Sequence, residues 1–431
     1  MIDNAGPGET RYETLILMHG FHTALEVLAW LVAAAWSLKL GEAAIGFPQI
    51  PRLWDPEFDD VPQDPPRLVV IVPGRNEEAN IRSCILSLLA QDYPNLRIVA
   101  VNDRSTDRTG TILEELAAAD TTSKLRAIHI SDLPPGWLGK THAMALAARR
   151  AIELHSPEYL LFTDADIEFA PQAVRRSVAA AIRTRADHFV TLPTTISKSH
   201  GESAVLACLQ VLGMWAVRTW RVADPEAKRD AIGVGAFNLV RTEAYKELGG
   251  FEALRMEVLE DLTLGRLMKR RGFRQAVGIA PGLVSVHWAA GVFGIVRGMT
   301  KNFFAVFEYR LWVLLLATLA TALVCIGPAF FLAIPGARLP GLLAWACAAG
   351  VYAVSGRVSR LSVNYAALMP VGAAIVVWAM LRSALITLAR GGVNWRGTFY
   401  PLKELRDHHA ERHNWAAGTP EDSFEGTRVE L

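Results

Sequence analysis

The 431-residue chain has only four cysteines, Cys84, Cys208, Cys325 and Cys347, and no two of them form a CxxC pair. That excludes a disulfide framework and a cysteine-built zinc site, and leaves the four as small buried hydrophobes. Net charge is nearly absent too, at +1, so no global field argues for nucleic acid as a partner. Internal repeats and low-complexity tracts are missing. Charge is also absent locally. Residues 311–337, 339–356 and 361–381 contain no Asp, Glu, Lys or Arg. The first and third are long enough to cross a bilayer, which takes about 20 apolar residues, and the second is marginal. Residues 14–38 are mostly apolar as well, interrupted by His19, His22 and Glu26. We expect a span there. It is too long for a cleaved signal peptide and lacks the basic start.

What is present divides the chain. Residues 1–40 are expected to be an N-terminal transmembrane segment, followed by a proline-rich linker at 41–66. Residues 67–290 are expected to be a catalytic domain, 291–310 an interfacial helix, 311–390 a C-terminal transmembrane region and 391–431 a tail. Within the domain, "RLVVIVP" (67–73), "LRIVAVN" (96–102), "KLRAIHI" (124–130) and "YLLFTD" (159–164) read as continuous apolar strands. Between them, 77–91, 107–119 and 141–154 carry helical apolar spacing. Strand–helix alternation with continuous strands predicts an α/β fold whose mainly parallel sheet is covered on both faces.

Ligands of such sheets bind beyond the carboxyl ends of the strands, and polar residues collect there. The first strand ends in "PGRNEEAN", the second in "VNDRSTD", the fourth in "TDAD". Any one cluster is explained equally well by a helix cap, with Asn76, Asn80 or Asp107 the capping residue. Three on consecutive strands are not. Carboxylates and amides at the first two ends are suited to a base and ribose. A diphosphate beside carboxylates needs a divalent cation, and Mg²⁺ or Mn²⁺ takes one or two carboxylates plus phosphate oxygens. Asp164 and Asp166, two apart at the end of a strand, both face the cleft.

Here the sequence resembles a known family. "VVIVPGRNEEANIRSCILSLLAQDYPNLRIVAVNDRSTDRT", "TDAD", "GGF" and "LEDLTLG", in that order, are similar to the inverting family-2 glycosyltransferases of GT-A (Rossmann-like) fold. "PPGWLGKTHA" (134–143) and "GGVNWRGTFYPL" after the last apolar run resemble the membrane-bound branch associated with hopanoid and carotenoid glycosylation. The resemblance implies that Pro73, Asn76 and Glu77 line the base pocket, with Asp103 on the base and Lys140 near ribose or phosphate. It implies that Asp164 and Asp166 are the metal-binding DxD, with Asp164 also touching the nucleotide-sugar. Asp261 would be the catalytic base with Glu260 beside it, and Gly249, Gly250 and Phe251 would shape the acceptor side. The chemistry agrees, since inverting transfer needs a carboxylate to take the acceptor's proton while the metal neutralises the leaving diphosphate. Glu260 and Asp261 also suit a helix N-terminus, and Glu257 competes for the base role. His287 is a weaker metal or phosphate candidate. Arg297 and Lys301 either offset diphosphate charge or lie at the membrane surface. No QxxRW motif, a mark of the processive members, follows Asp261, which argues for transfer of a single sugar.

The expected partners are a nucleotide-diphosphate sugar, a lipid or isoprenoid-derived acceptor and the bilayer itself. Residues 202–222 and 287–312, apolar with Trp and late Arg, read as interfacial helices that present the cleft to the bilayer, or as ordinary core helices. Donor chemistry puts the domain in the cytosol, on the inner membrane of a bacterial-type cell. Three later spans would then leave the arginine-rich tail outside, against the preference of basic residues for the inside. The alternative readings are a nucleotidyltransferase on a similar sheet, and a non-catalytic membrane-anchored protein that binds sugar nucleotides.

Overall fold

The computed structural model describes residues 7–60 and 63–417. A long helix α1 (Pro7–Gly46) leads into the α/β domain. The domain runs β1 (Leu68–Gly74), α2 (Ile81–Leu89), β2 (Leu96–Asp103), α3 (Thr109–Ala119), β3 (Leu125–Ile130), α4 (Gly139–His155) and β4 (Tyr159–Phe162). It continues through β5 (Ile167–Phe169), α5 (Ala173–Arg183), β6 (His188–Leu192), β7 (Thr194–Thr195), α6 (His200–Ala216), β8 (Asn238–Arg241) and α7 (Thr242–Glu247). It closes with α8 (Glu260–Arg270), β9 (Gln275–Ile279) and β10 (Val284–Val286). Then come α9 (Gly291–Val306), α10 (Leu311–Thr321), α11 (Gly327–Phe331), α12 (Arg338–Ser359), α13 (Met369–Arg390), a hairpin β11 (Gly392–Trp395) and β12 (Thr398–Pro401), and α14 (Leu402–Ala417).

The main sheet has the order β3-β2-β1-β4-β8-β6-β9. β8 alone runs antiparallel to its neighbours. The expected parallel core is therefore present with one reversed strand. The two-residue period of β1 explains its two-sided burial. Leu68, Val70 and Val72 pack with α2, α3 and α5 on one face. Val69 and Ile71 pack with α4, Tyr245 and Phe251 on the other. Register then places the strand ends. Gly74 lies opposite Asn102 of β2, and β4 stops at Phe162, opposite Ile71. Residues 163–166 therefore emerge beside the end of β1. A second small sheet, β5-β10-β7, carries the chain away from that edge.

The described residues 41–60 are more ordered than a linker. α1 continues to Gly46, and Leu53, fully buried, packs with the main sheet after its backbone N–H bonds Ile279 O at 2.9 Å. The proline spacing concealed this because prolines start both short helical turns, Phe47–Gln49 and Pro56–Phe58.

Five described helical stretches are long and apolar enough to cross a membrane: Met18–Gln49, His200–Arg221, Leu311–Phe331, Pro335–Ser359 and Val363–Arg390. Their anchoring differs. α1 and α12 run side by side in the same direction, with Gly336 against Glu26 and Gly350 against Leu40. The 311–331 stretch has one wide turn at Ala322–Ile326. A widened turn loses its regular hydrogen bonds, and Trp36 Nε1 donates to the Val324 carbonyl at 2.8 Å. α12 ends at the domain, where Arg360 donates to Pro281 O at 2.8 Å. α6 and α13 are held at both ends by the domain. α6 starts at the Ser199 cap, which accepts from Glu202 N, and is followed by the Arg218–Asp230 pair. α13 starts beside α6, with Tyr365 OH 2.9 Å from His200 Nδ1 and Gly372 against Ala204. It ends in the hairpin that touches the first strand end. Its 22 residues rise about 33 Å. The third expected span, 361–381, falls in the described stretch Val363–Arg390, which is long and apolar enough to cross a membrane. α6 is the core helix of the two readings, with Val205, Cys208 and Val211 buried.

Two crossings after the domain, in place of three, would return the tail to the domain's side and remove the conflict with its basic residues. An epitope fused at the C-terminus and a protease site inserted in the exposed turn 121–123 are expected to be cut together in sealed vesicles of one orientation and protected together in the other. Opposite accessibility of the two would refute this arrangement.

Candidate active site

The three polar strand ends meet around one cavity of about 1390 Å³, lined among others by Pro73, Glu77, Asp103, Lys140, Asp164, Asp166, Glu260 and Asp261. At the end of β4, Thr163 N donates to Ile71 O at 3.1 Å and Asp164 N to Gly235 O at 3.0 Å. Gly235 N donates in turn to Asp261 Oδ2 at 2.7 Å. One glycine therefore ties the expected metal carboxylates to the expected base. A Cβ on Gly235 would lie 2.5 Å from Asp164 Oδ2, so no other residue fits without moving that carboxylate. Sequence reasoning passed over "GVG" at 233–235 because the residues it joins are 97 positions apart in the chain.

Lys140, in the first turn of α4, bridges two acids. Its Nζ contacts Asp164 Oδ1 and lies 2.5 Å from Glu260 Oε1. Burial alone would lower the Lys140 ammonium, but Asp164, Glu260 and Asp261 outweigh it and hold it above the ordinary lysine range. Burial raises the Glu260 carboxyl, with Lys140 opposing. Glu260 is thus committed to Lys140. Asp261, half-buried beside it, accepts from Leu262 N at 2.7 Å and from Gly235.

Asp166 has a different environment. Burial, then Asp164 and Glu77, push its carboxyl up to about 7. A divalent cation relieves both the repulsion and the desolvation, so the donor set fits Mg²⁺ or Mn²⁺. Among the described residues no group of three His, Cys, Asp or Glu side chains encloses an ion. The remaining ligands of such a cation would be oxygens of the bound molecule.

Other expected site residues fall elsewhere. Asn76, at φ 54°, accepts from Thr106 N at 2.8 Å and donates its own N–H to Ser105 Oγ at 3.0 Å. It ties two loops together and is not among the cavity residues. Gly249, Gly250 and Phe251 are also outside the cavity wall. Phe251 is buried in the core against Phe162, and both glycines turn the chain at positive φ. Glu257 accepts from Thr263 Oγ1 at 2.9 Å and faces His409 at 3.2 Å, away from the cavity. His287 faces Glu202 at 3.7 Å. Asp107 caps α3, accepting from Thr109 N at 2.9 Å.

The β11–β12 hairpin covers the end of β1 and the start of α4. Arg396 pairs with Glu77 and donates to Arg75 O at 2.6 Å. Arg75 donates to Thr398 Oγ1 at 3.2 Å, and Gly139 N donates to Tyr400 OH at 3.3 Å. Lys301 of α9 sits 4.4 Å over the Trp395 ring, and burial lowers it to about 8. The hairpin thus touches two of the sequence motifs at once. Arg396 was not among the expected site residues, although its segment had been singled out.

The family model described as "Glycosyl transferase family 2" matches residues 69–249. Those residues form a family-2 glycosyltransferase domain. Its sheet, with polar residues at the β1, β2 and β4 ends and one reversed strand, is the GT-A fold. The chain also aligns with 4,4'-diaponeurosporenoate glycosyltransferase from several strains of Staphylococcus aureus, 26% identical over 203 residues. That alignment covers 46% of this chain and 50% of the relative, so the chain spans about half the length of the curated relatives it matches. Among solved structures, a mannosyltransferase from Pyrobaculum calidifontis with GDP-Man and Mn²⁺ overlaps at TM-score 0.46 and 20% identity, over 85% of this chain and 98% of that one. S. aureus TarS 1-349 with UDP-GlcNAc overlaps at 0.37 and 15% identity, over 78% of this chain and 96% of that one.

Removing one member of a buried ion pair costs about 3–5 kcal/mol. Glu260→Ala is therefore expected to lower the thermal midpoint by several degrees, and Asp261→Asn to leave it nearly unchanged. Equal midpoints for Glu260→Ala and the parent chain, measured by thermal unfolding, would mean that Lys140 does not depend on Glu260. Arg396→Ala is expected to raise the nucleotide-sugar KM about tenfold, with little change in the acceptor KM.

Proposed function

We propose that the protein transfers one sugar from a nucleotide-diphosphate sugar to a lipid-type acceptor at a membrane, with inversion at the anomeric carbon. The observation that carries this reading is the single cavity in which Gly235 joins the Asp164/Asp166 end to Asp261, with apolar α6 residues Leu206, Leu209 and Met214 forming another part of the wall. In the family-2 domain the nucleotide lies at the ends of β1 and β2, against Pro73, Glu77 and Asp103. The diphosphate lies beside Lys140 and the DxD carboxylates. Asp166 and Asp164 would hold a divalent cation there, and the charge it supplies would neutralise the leaving group. The acceptor oxygen comes from the α6 and α9 side.

The step is a single displacement. The acceptor O–H gives its proton to Asp261 as its oxygen bonds the anomeric carbon. The bond from that carbon to the phosphate oxygen breaks, and the nucleoside diphosphate leaves with the electron pair. Asp261 suits the base role because its two backbone hydrogen bonds fix its carboxylate at the cavity wall. Glu260, committed to Lys140, positions the leaving-group end and does not accept the proton. The names of the S. aureus relatives support a lipid-like acceptor. α1, α10–α11 and α12 would cross the bilayer, with the domain on the cytosolic side where sugar nucleotides are made.

General-base removal costs on the order of 10²–10⁴ in rate. With membrane lipid extract and labelled sugar nucleotides, Asp261→Asn and Asp166→Ala are each expected to lose transfer by that order. Chelation should stop the parent enzyme, and added Mn²⁺ or Mg²⁺ should restore it while leaving Asp166→Ala inactive. Full turnover in either variant, or activity indifferent to chelator, would overturn the assigned roles.

A further inference from the structure

The cavity is electrically divided. Its carboxylates, Glu77, Asp103, Asp164, Asp166, Glu260 and Asp261, all come from the α/β domain. The cavity cations beyond the domain come from α9, α13 and the hairpin: Arg297, Lys301, Arg382, Arg390 and Arg396. Four of the acids have cationic partners. Lys140 serves Asp164 and Glu260, Arg396 serves Glu77 and Arg104 serves Asp103. Lys301 faces the field of Glu260, Asp261 and Asp164.

Three guanidinium groups remain. Arg382 donates to Thr300 Oγ1, a neutral partner, and its Cζ lies 5.7 Å from the Trp378 ring centre. Arg297 and Arg390 have no ion pair or hydrogen bond among the described residues. Neither α9 nor α13 contains an Asp or Glu to compensate them. Spacing puts Arg297 and Lys301 on one face of α9, and Arg382, Ile386 and Arg390 on one face of α13. Both faces line the same cavity. The helices are locked together where Ser383 Oγ accepts from Phe304 N at 3.0 Å and donates to Thr300 O at 2.6 Å. Cations that only met lipid headgroups would lie on the outer surface of these helices. These line the cavity shared with Asp261, next to the apolar residues Leu206, Leu209 and Ile386.

Arg297 and Arg390 are exposed and Arg382 is half-buried, so all three can be reached by an anion entering the cavity. Guanidinium groups match carboxylate and phosphate oxygens with paired hydrogen bonds. We propose that Arg297, Arg382 and Arg390 bind an anionic group on the acceptor, so that the acceptor is an amphiphile with an apolar chain and a carboxylate or phosphate. The anion is a recognition group, and the attacking oxygen is a separate hydroxyl that Asp261 deprotonates. This deepens the glycosyltransfer reading and rests on it for the word acceptor, but anion recognition is measurable without any sugar donor.

The test uses the full chain in detergent, titrated with decyl phosphate, decanoate and decanol, and separately with GDP and UDP. The parent chain is expected to bind decyl phosphate or decanoate at least tenfold more tightly than decanol, the stronger of the two identifying the anion. The Arg297→Gln, Arg382→Gln, Arg390→Gln triple variant should lose that preference and keep its affinity for GDP and UDP. Arg390→Gln alone, at the exposed end of α13, should lose about threefold and serves if the triple variant does not fold. Equal binding of anion and alcohol by the parent chain overturns the proposal, as does a preference that survives in the triple variant. An equal loss of nucleotide affinity also overturns it, because the arginines would then belong to the donor. Asp166→Ala should keep the anion preference. If that preference holds while no sugar is transferred by any preparation, the glycosyltransfer reading fails and the anion site stands.

Discussion

The cleft depends on one buried ammonium. Asp164 and Glu260 come from distant segments, and Lys140 draws both onto one atom. Without it, three neighbouring carboxylates, counting Asp261, would repel one another in a poorly solvated place. The fold cannot avoid this crowding. The parallel strands deliver Asp164 to the same edge at which α8 begins, and acids at a helix N-terminus are favoured there by the backbone. Lys140 itself is held by position, in the first turn of α4, where Gly139 lets the chain pass close to Asp103. The ion triad thus sets the distance between Asp164 and Glu260 at the cavity wall.

Two further constraints follow. Gly235 uses its N–H and its C=O on opposite sides of the reaction centre, so the geometry of Asp164 and Asp261 is shared through a single peptide unit. The hairpin after α13 then covers the end of β1 and the start of α4 through Arg396, Thr398 and Tyr400. Because α13 delivers this hairpin, the apolar helices form part of the site's wall as well as an attachment. The division of charge in the cavity, carboxylates from the sheet and guanidiniums from the helices, has the same origin.

Much of this was legible in the chain. The strands β1 to β4 and their helices lie within a few residues of the apolar patterns, because continuous burial on both faces leaves few other options. The strand-end acids also reach one cavity as their positions predicted. Legibility failed where a residue's partner is distant. Asn76 looks like a ligand residue but spends its amide on Thr106. Phe251 and the two glycines before it carry a family pattern yet sit in the core and its turn. The uncharged run at 361–381 suggested a span, but absence of charge does not reveal that the helix starts beside α6 and ends in the hairpin against the first strand end.

The sequence by itself determined the layered α/β fold, the edge on which chemistry occurs and the acids available there, since periodicity and strand order are local or nearly local properties. Tertiary structure decided which acid is held by backbone amides, which is bound to Lys140, and which cations line the cavity without a charged partner. Those outcomes depend on pairings between residues from a few tens to about three hundred positions apart, and charge compensation in such a site is settled only when its partners meet.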